Sequence, residues 1–175
     1  EFLKNNNLQC INLEEITKVP AILDHRVFTE HYKIAGALVS DPTEKHDLER
    51  KKFNIPWFDM LVVDLYPLEK SLAKFKKTKN SESIRNSTDI GGITLIRNAI
   101  KGRRIVITNK KQYSDVEKIL KNKHINPEKR ILEFLVEGEF LCSKYCQISG
   151  KHLDDSINKV PNTNLHKLKY GENPY

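Results

Sequence analysis

The stretch IGGITLIRNAIKGRRIVITN, residues 90–109, most narrows what this chain can fold into. Ile93, Ile96, Ala99 and Ile100 recur at helical spacing, Gly102 stands where a helix is capped, and the β-branched run RRIVITN follows at once. A helix that feeds directly into a strand is half of an α/β unit. A second strand is expected in MLVVDLYP (60–67), which ends at a proline that cannot continue a ladder, and a third in LQCINL (8–13). LEKSLAKFKKTKNSESIRNS (68–87) is amphipathic at first and then polar, and YSDVEKILKNKHI (113–125) offers Ser114 or Asp115 as the cap of another helix. This alternation from residue 8 to about residue 122 predicts an α/β fold with a mostly parallel, Rossmann-like sheet of about four strands, helix 90–101 covering one face. From about residue 123 the periodicity is helical only, so a C-terminal helical extension over 128–160 is expected, followed by a turn-rich tail. The opening EFLKNNN reads as the last turn of a helix. The sequence is therefore expected to begin mid-domain and to leave the sheet with an open edge or gap.

Composition excludes little and suggests little. Lys and Arg exceed Asp and Glu by 30 to 23, a formal charge of +7, but the basic residues are scattered and lack the interleaved aromatics of a nucleic-acid platform. No nucleic-acid partner is expected. The longest apolar runs are far too short for a membrane span, so no membrane association is expected either. Three cysteines, Cys10, Cys142 and Cys146, with no second Cys/His pair at zinc spacing, read as free thiols of a reducing, cytoplasmic compartment and as no metal site.

In an open parallel sheet, ligands lie beyond the carboxyl ends of the strands. Asp64, Tyr66 and Pro67 follow one such end. The first turn of the helix adds free N–H groups at Ile90, Gly91 and Gly92, which can hold an oxygen anion because the glycines carry no side chain to block its approach. The alternative is a capped core helix, with Asp89 as its N-cap and Lys101 neutralising its C-terminal dipole. Twelve residues separate Asp89 from Lys101, about 18 Å of helix, so both act on one small ligand only if the helix is shorter or bends.

DHRVFTEH (24–31), FDMLVVDLYP (58–67), DIGGITLIRNAIK (89–101) and KYGENPY (169–175) occur in the order and spacing of four signatures of another group of proteins. In these the chain resembles the bifunctional purine-biosynthesis family of AICAR transformylase/IMP cyclohydrolase. The resemblance implies a methylglyoxal-synthase-like domain over residues 1–165 that lacks its first strands, closes the ring of formyl-AICAR to give IMP, and needs no cofactor. It implies that residues 166–175 begin the formyltransferase domain, which uses 10-formyltetrahydrofolate, and that the full-length protein is a homodimer. By the same resemblance Lys101 is the proton donor and acceptor, Asp89 holds the carboxamide NH₂, and Tyr66 sits beside the reacting ring. Arg26, Val27, Phe28, Thr29, Asp64, Leu65, Ile90, Gly91, Gly92, Lys169 and Tyr170 match segments that line the nucleotide site.

The departures are as specific as the matches. Where the family has the pattern DGRVKTLHPKxHGG, this chain reads DHRVFTEHYKIAGA, with Phe28 in place of a lysine, Glu30 of a leucine, Tyr32 of a proline and Gly36-Ala37 of two glycines. Asp64 replaces an asparagine. A lost positive and a gained negative charge should weaken binding of a phosphorylated ligand, and the chain is expected to lack the family's upstream phosphate-binding loops. Two readings follow: a cyclohydrolase domain, or a relative that kept the nucleotide site and lost turnover.

Overall fold

A computed structural model describes residues 2–78 and 86–157. Its centre is a parallel pair of strands, β1 (Met60–Val62) and β2 (Ile105–Ile107), with Leu61 opposite Val106. Pleating turns alternate side chains to opposite faces and so divides the core in two. Leu61, Val63 and Val106 pack with Leu38, Ile96, Ala99, Leu135 and Cys142, while Met60, Ile105 and Ile107 pack with Val116, Ile119 and Phe134. Side chains pack on both faces of the pair, although Val62, on the Met60 face, is 58% exposed.

The helices with defined bounds are α1 (Phe2–Asn5), α2 (Leu13–Thr17), α3 (Tyr32–Val39), α4 (Glu44–Lys52), α5 (Leu68–Thr78), α6 (Gly91–Lys101), α7 (Tyr113–Leu120) and α8 (Pro127–Ile157). α8 runs for 31 residues, about 46 Å, and packs along α6, β2 and α5. It can lie this close to α6 and β2 because Gly138 stands at the crossing, where a Cβ would come within 3.3 Å of Ile96 and 3.4 Å of Val106. Fully burying side chains such as Phe134 and Ile96 contributes about 1.5–3 kcal/mol each.

The mixed α/β architecture, the parallel pairing, the helix over 90–101 and the long C-terminal helix are those expected from the sequence. Three expectations fail. LQCINL is not a strand: residues 8–12 have no regular structure, and Leu8 and Ile11 are 54% and 70% exposed. Glu15 reaches back to accept the Asn12 N–H at 3.1 Å, which commits the chain to a helix from Leu13, and no described strand lies alongside to take ladder bonds. The sheet accordingly has two strands among the described residues and not four. Nor do Ser114 or Asp115 cap α7. A 3-10 turn (Lys110–Gln112) precedes it, with Asn109 Oδ1 accepting the Lys111 N–H at 2.9 Å and Gln112 Oε1 accepting the Thr108 and Asn109 N–H groups. Two helices that no signal above singles out, α3 and α4, start at His31 and Thr43, whose side chains accept the N–H groups of Lys33 and His46.

Gly102 does close α6, but with φ −82 it has ordinary backbone geometry, and Arg103 is the left-handed residue at φ 53. Glycine is needed for a different reason. A Cβ there would lie 2.9 Å from the Leu38 carbonyl carbon, 3.0 Å from Val39 Cα and closer still to the Leu38 oxygen. Arg104, 5% exposed, then turns back under α3: its Nε donates to Leu38 O at 3.0 Å, its guanidinium reaches Ser40 O, and it stacks on Trp57 at 3.6 Å. The last carbonyls of α3 are thus satisfied by the residue that opens β2. This junction sets α3, and the loop before it, against α6.

Candidate functional site

Three segments meet around the N-terminus of α6: the loop 22–30 before α3, residues 63–66 after β1, and the turn 86–92. The first loop is pinched by an antiparallel bridge between Ile22 and Val27, with Leu23, Asp24 and His25 all left-handed at φ 54–63. Three such residues without glycine are costly, at roughly 1–2 kcal/mol each, and the turn they make presents Arg26 to the turn opposite. Arg26 Nη2 donates to Asn86 Oδ1 at 3.0 Å.

Contacts at the two glycines tie the segments together. A Cβ on Gly91 would lie 2.6 Å from Thr29 Oγ1, and one on Gly92 would lie 2.6 Å from Leu65 Cδ2 and 2.7 Å from Asp89 Oδ2. At Gly92 a side chain would meet both Leu65 and the Asp89 carboxylate, whereas at Gly91 it would meet only the Thr29 hydroxyl, which can turn aside. Asp89 Oδ1 accepts the Gly92 N–H at 2.6 Å, so this carboxylate caps α6 and Gly92 offers no free donor. That corrects the expectation of three free N–H groups: among the described residues, those of Ile90 and Gly91 have no partner. The Asp89 N–H donates to Tyr145 Oη at 2.7 Å, and that hydroxyl donates to Ser87 O at 3.0 Å. Burial pushes the Tyr145 pKa up, so the phenol stays protonated and can donate.

Of the candidates read from the sequence, the fold brings Arg26, Val27, Phe28 and Thr29 on one loop to Asp89, Ile90, Gly91 and Gly92, and Leu65 to the same turn. Asp64 and Tyr66 flank Leu65. Tyr66 is 61% exposed, so its ring is no part of the core, and Phe28 is 39% exposed. Lys101 is not brought in. It is the exposed last residue of an unbroken 11-residue helix, about 15 Å along the axis from Gly91. The shorter or bent helix that would let it share a small ligand with Asp89 is absent. Lys169 and Tyr170 lie outside the described residues.

Two contacts at this site have no place among the sequence candidates. Asn86 lies in the polar run that leads into the helix, and its polar run was the available signal. Tyr145 is 56 positions from Asp89 on another helix, where nothing in the local pattern marks it. Among the described residues no helix is long and apolar enough to cross a membrane, and no three His, Cys, Asp or Glu side chains gather as metal ligands would.

No protein-family model matches the chain. Curated proteins named bifunctional purine biosynthesis protein PurH do align with it from end to end. That of Caldicellulosiruptor saccharolyticus is 33% identical over 100% of the chain and 36% of its own length. The chain is homologous to part of PurH. The PurH of Acetivibrio thermocellus is 32% identical over 99% of the chain, and that of Buchnera aphidicola 31% over 99%. In each case the chain spans about a third of the PurH relative. Among solved structures, the crystal structure of ForH superposes with a TM-score of 0.65, covering 85% of this chain and 78% of that one at 22% identity. The likeness to ForH is one of fold, consistent with the methylglyoxal-synthase-like architecture expected from the sequence.

Proposed function

We propose that this chain supplies an enzymatic step of purine biosynthesis, the dehydrative ring closure of formyl-AICAR to IMP, within a bifunctional PurH-type polypeptide. One observation supports it above the others. Segments far apart in sequence, 24–31, 58–67 and 89–92, converge at one end of the fold, with Thr29 against Gly91 and Leu65 against Gly92.

In this reading the carboxamide nitrogen attacks the formyl carbon, a C–N bond forms, and the former formyl oxygen leaves as water. Asp89, held through Oδ1 by the Gly92 N–H, accepts the carboxamide NH₂ with Oδ2 and orients its nitrogen. The Ile90 and Gly91 N–H groups donate to polar atoms of the closing ring, and Arg26 offers its fork of donors to an anionic group. Preorganised donors of this kind contribute about 10²–10³ each in rate. Lys101 stands at the other end of α6, so the proton for the departing water travels through solvent. This step uses no cofactor; 10-formyltetrahydrofolate belongs to the formyltransferase step.

The test is incubation of the intact protein with formyl-AICAR, following the absorbance change as IMP forms. Enzyme-dependent, saturable formation of IMP is expected, and a rate no greater than that without protein would overturn the reading. The second reading, a nucleotide-binding relative without turnover, is favoured by Phe28 in the place of the lysine and by the distance of Lys101. Calorimetric binding of IMP without any cyclisation would establish it.

A further inference from the structure

Tyr145 is 7% exposed, its ring packed on Leu68 with Leu65, Leu72, Ile93 and Ile148 around it. A buried tyrosine normally finds one hydrogen-bond partner for its hydroxyl. Tyr145 finds two, and both are in the same short turn: it accepts the Asp89 N–H at 2.7 Å and donates to Ser87 O at 3.0 Å. Neither bond goes to its own helix. One phenolic oxygen thus clamps the backbone on both sides of Thr88 while the Gly92 N–H clamps the Asp89 carboxylate. Between them these bonds leave the Ile90 and Gly91 N–H groups as the free donors of the turn.

We propose that Tyr145 is a positioning residue for the candidate site, its hydroxyl holding Asp89 and the Ile90–Gly91 donors in the geometry that the reacting ring requires. The inference rests on the cyclohydrolase reading. The ring supplies packing, which phenylalanine would keep; the oxygen supplies alignment, which phenylalanine would lose. α8 in this way contributes to the site without touching the ligand.

Tyr145→Phe separates the two roles. In the intact protein it should lower kcat for formyl-AICAR by about tenfold, within what its two lost hydrogen bonds can supply, and leave KM within about threefold. A merely structural role would lower thermal stability and leave kcat per folded molecule unchanged, which would overturn the proposal. Because Tyr145 acts partly through Asp89, Tyr145→Phe should cost less in kcat in an Asp89→Asn background than in the parent; a full multiplicative loss would overturn it too. If the parent shows no cyclisation, the cyclohydrolase reading has failed and a second measurement decides. Amide exchange at Asp89 and Gly92 should then quicken by about tenfold in Tyr145→Phe, with weaker calorimetric binding of IMP. Unchanged exchange or unchanged IMP affinity would show that the hydroxyl positions nothing.

Discussion

Replacing Gly102 with alanine tests the junction on which the site is built. The backbone there, φ −82 and ψ 6, is open to any residue, so alanine carries no conformational penalty and even gains about 0.4–1 kcal/mol by restricting the unfolded chain. Everything unfavourable comes from space. The new methyl would lie 2.9 Å from the Leu38 carbonyl carbon and 3.0 Å from Val39 Cα, where carbon atoms prefer about 3.5–4.0 Å, so α3 must back away from α6 by roughly 1 Å at least. Backbone cannot swing aside as a side chain can. Overpacking of this kind costs about 1–3 kcal/mol, and the shift also stretches the bonds from buried Arg104 to Leu38 and Ser40, each about 1.5–3 kcal/mol when lost. A net loss of about 3 kcal/mol is expected, which for a domain of this size lowers Tm by roughly 6–12 °C. Thermal unfolding followed by circular dichroism measures it, with urea unfolding as the check. IMP affinity should fall as well, because α3 carries the loop with Arg26 and Thr29. A Gly102→Ala protein that melts within about 2 °C of the parent would refute the close approach and the argument built on it.

Gly91→Val should weaken calorimetric IMP binding by about tenfold or more while Tm changes little, since its Cβ meets only the Thr29 side chain, at 2.6 Å, at the rim of the site. Lys101→Ala and Lys101→Arg should both keep IMP affinity within about twofold, the lysine being a helix length away; a loss of tenfold or more in either would put it at the ligand. The Asp115 carboxyl is held below its ordinary pKa, chiefly by its hydrogen bond from Arg130 at 2.8 Å. A depressed folded pKa stabilises above the unfolded value of about 3.9 and that contribution is lost as pH falls through the folded one. Arg130→Met should therefore flatten the acid limb of a Tm-against-pH curve below about pH 4, and an unaltered limb would count against the pair.

What the amino-acid sequence determined by itself is whatever rests on near neighbours. The helical period of 93–100, the apolar run that opens MLVVDLYP, the β-branched run after Gly102 and the apolar period of 128–157 each follow from residues within a turn or two, and each element is present, although β1 ends at Val62, well before Pro67. So is the separation of Asp89 and Lys101, since twelve residues of helix have a known length. LQCINL shows the limit of such reasoning: an apolar run becomes a strand only when another strand takes its hydrogen bonds, and Glu15 offered the Asn12 backbone a nearer partner. Gly102 shows it again, for a cap and a close contact ask for the same residue, and only the carbonyl of Leu38, sixty-four positions earlier, distinguishes them. Asp89 was legible as a cap or as a ligand group; that one oxygen caps while Tyr145 holds its N–H from α8 was not. Tertiary structure decided these matters because steric exclusion and buried hydrogen bonds act at a few ångströms, between atoms whose distance along the chain carries no trace of the contact.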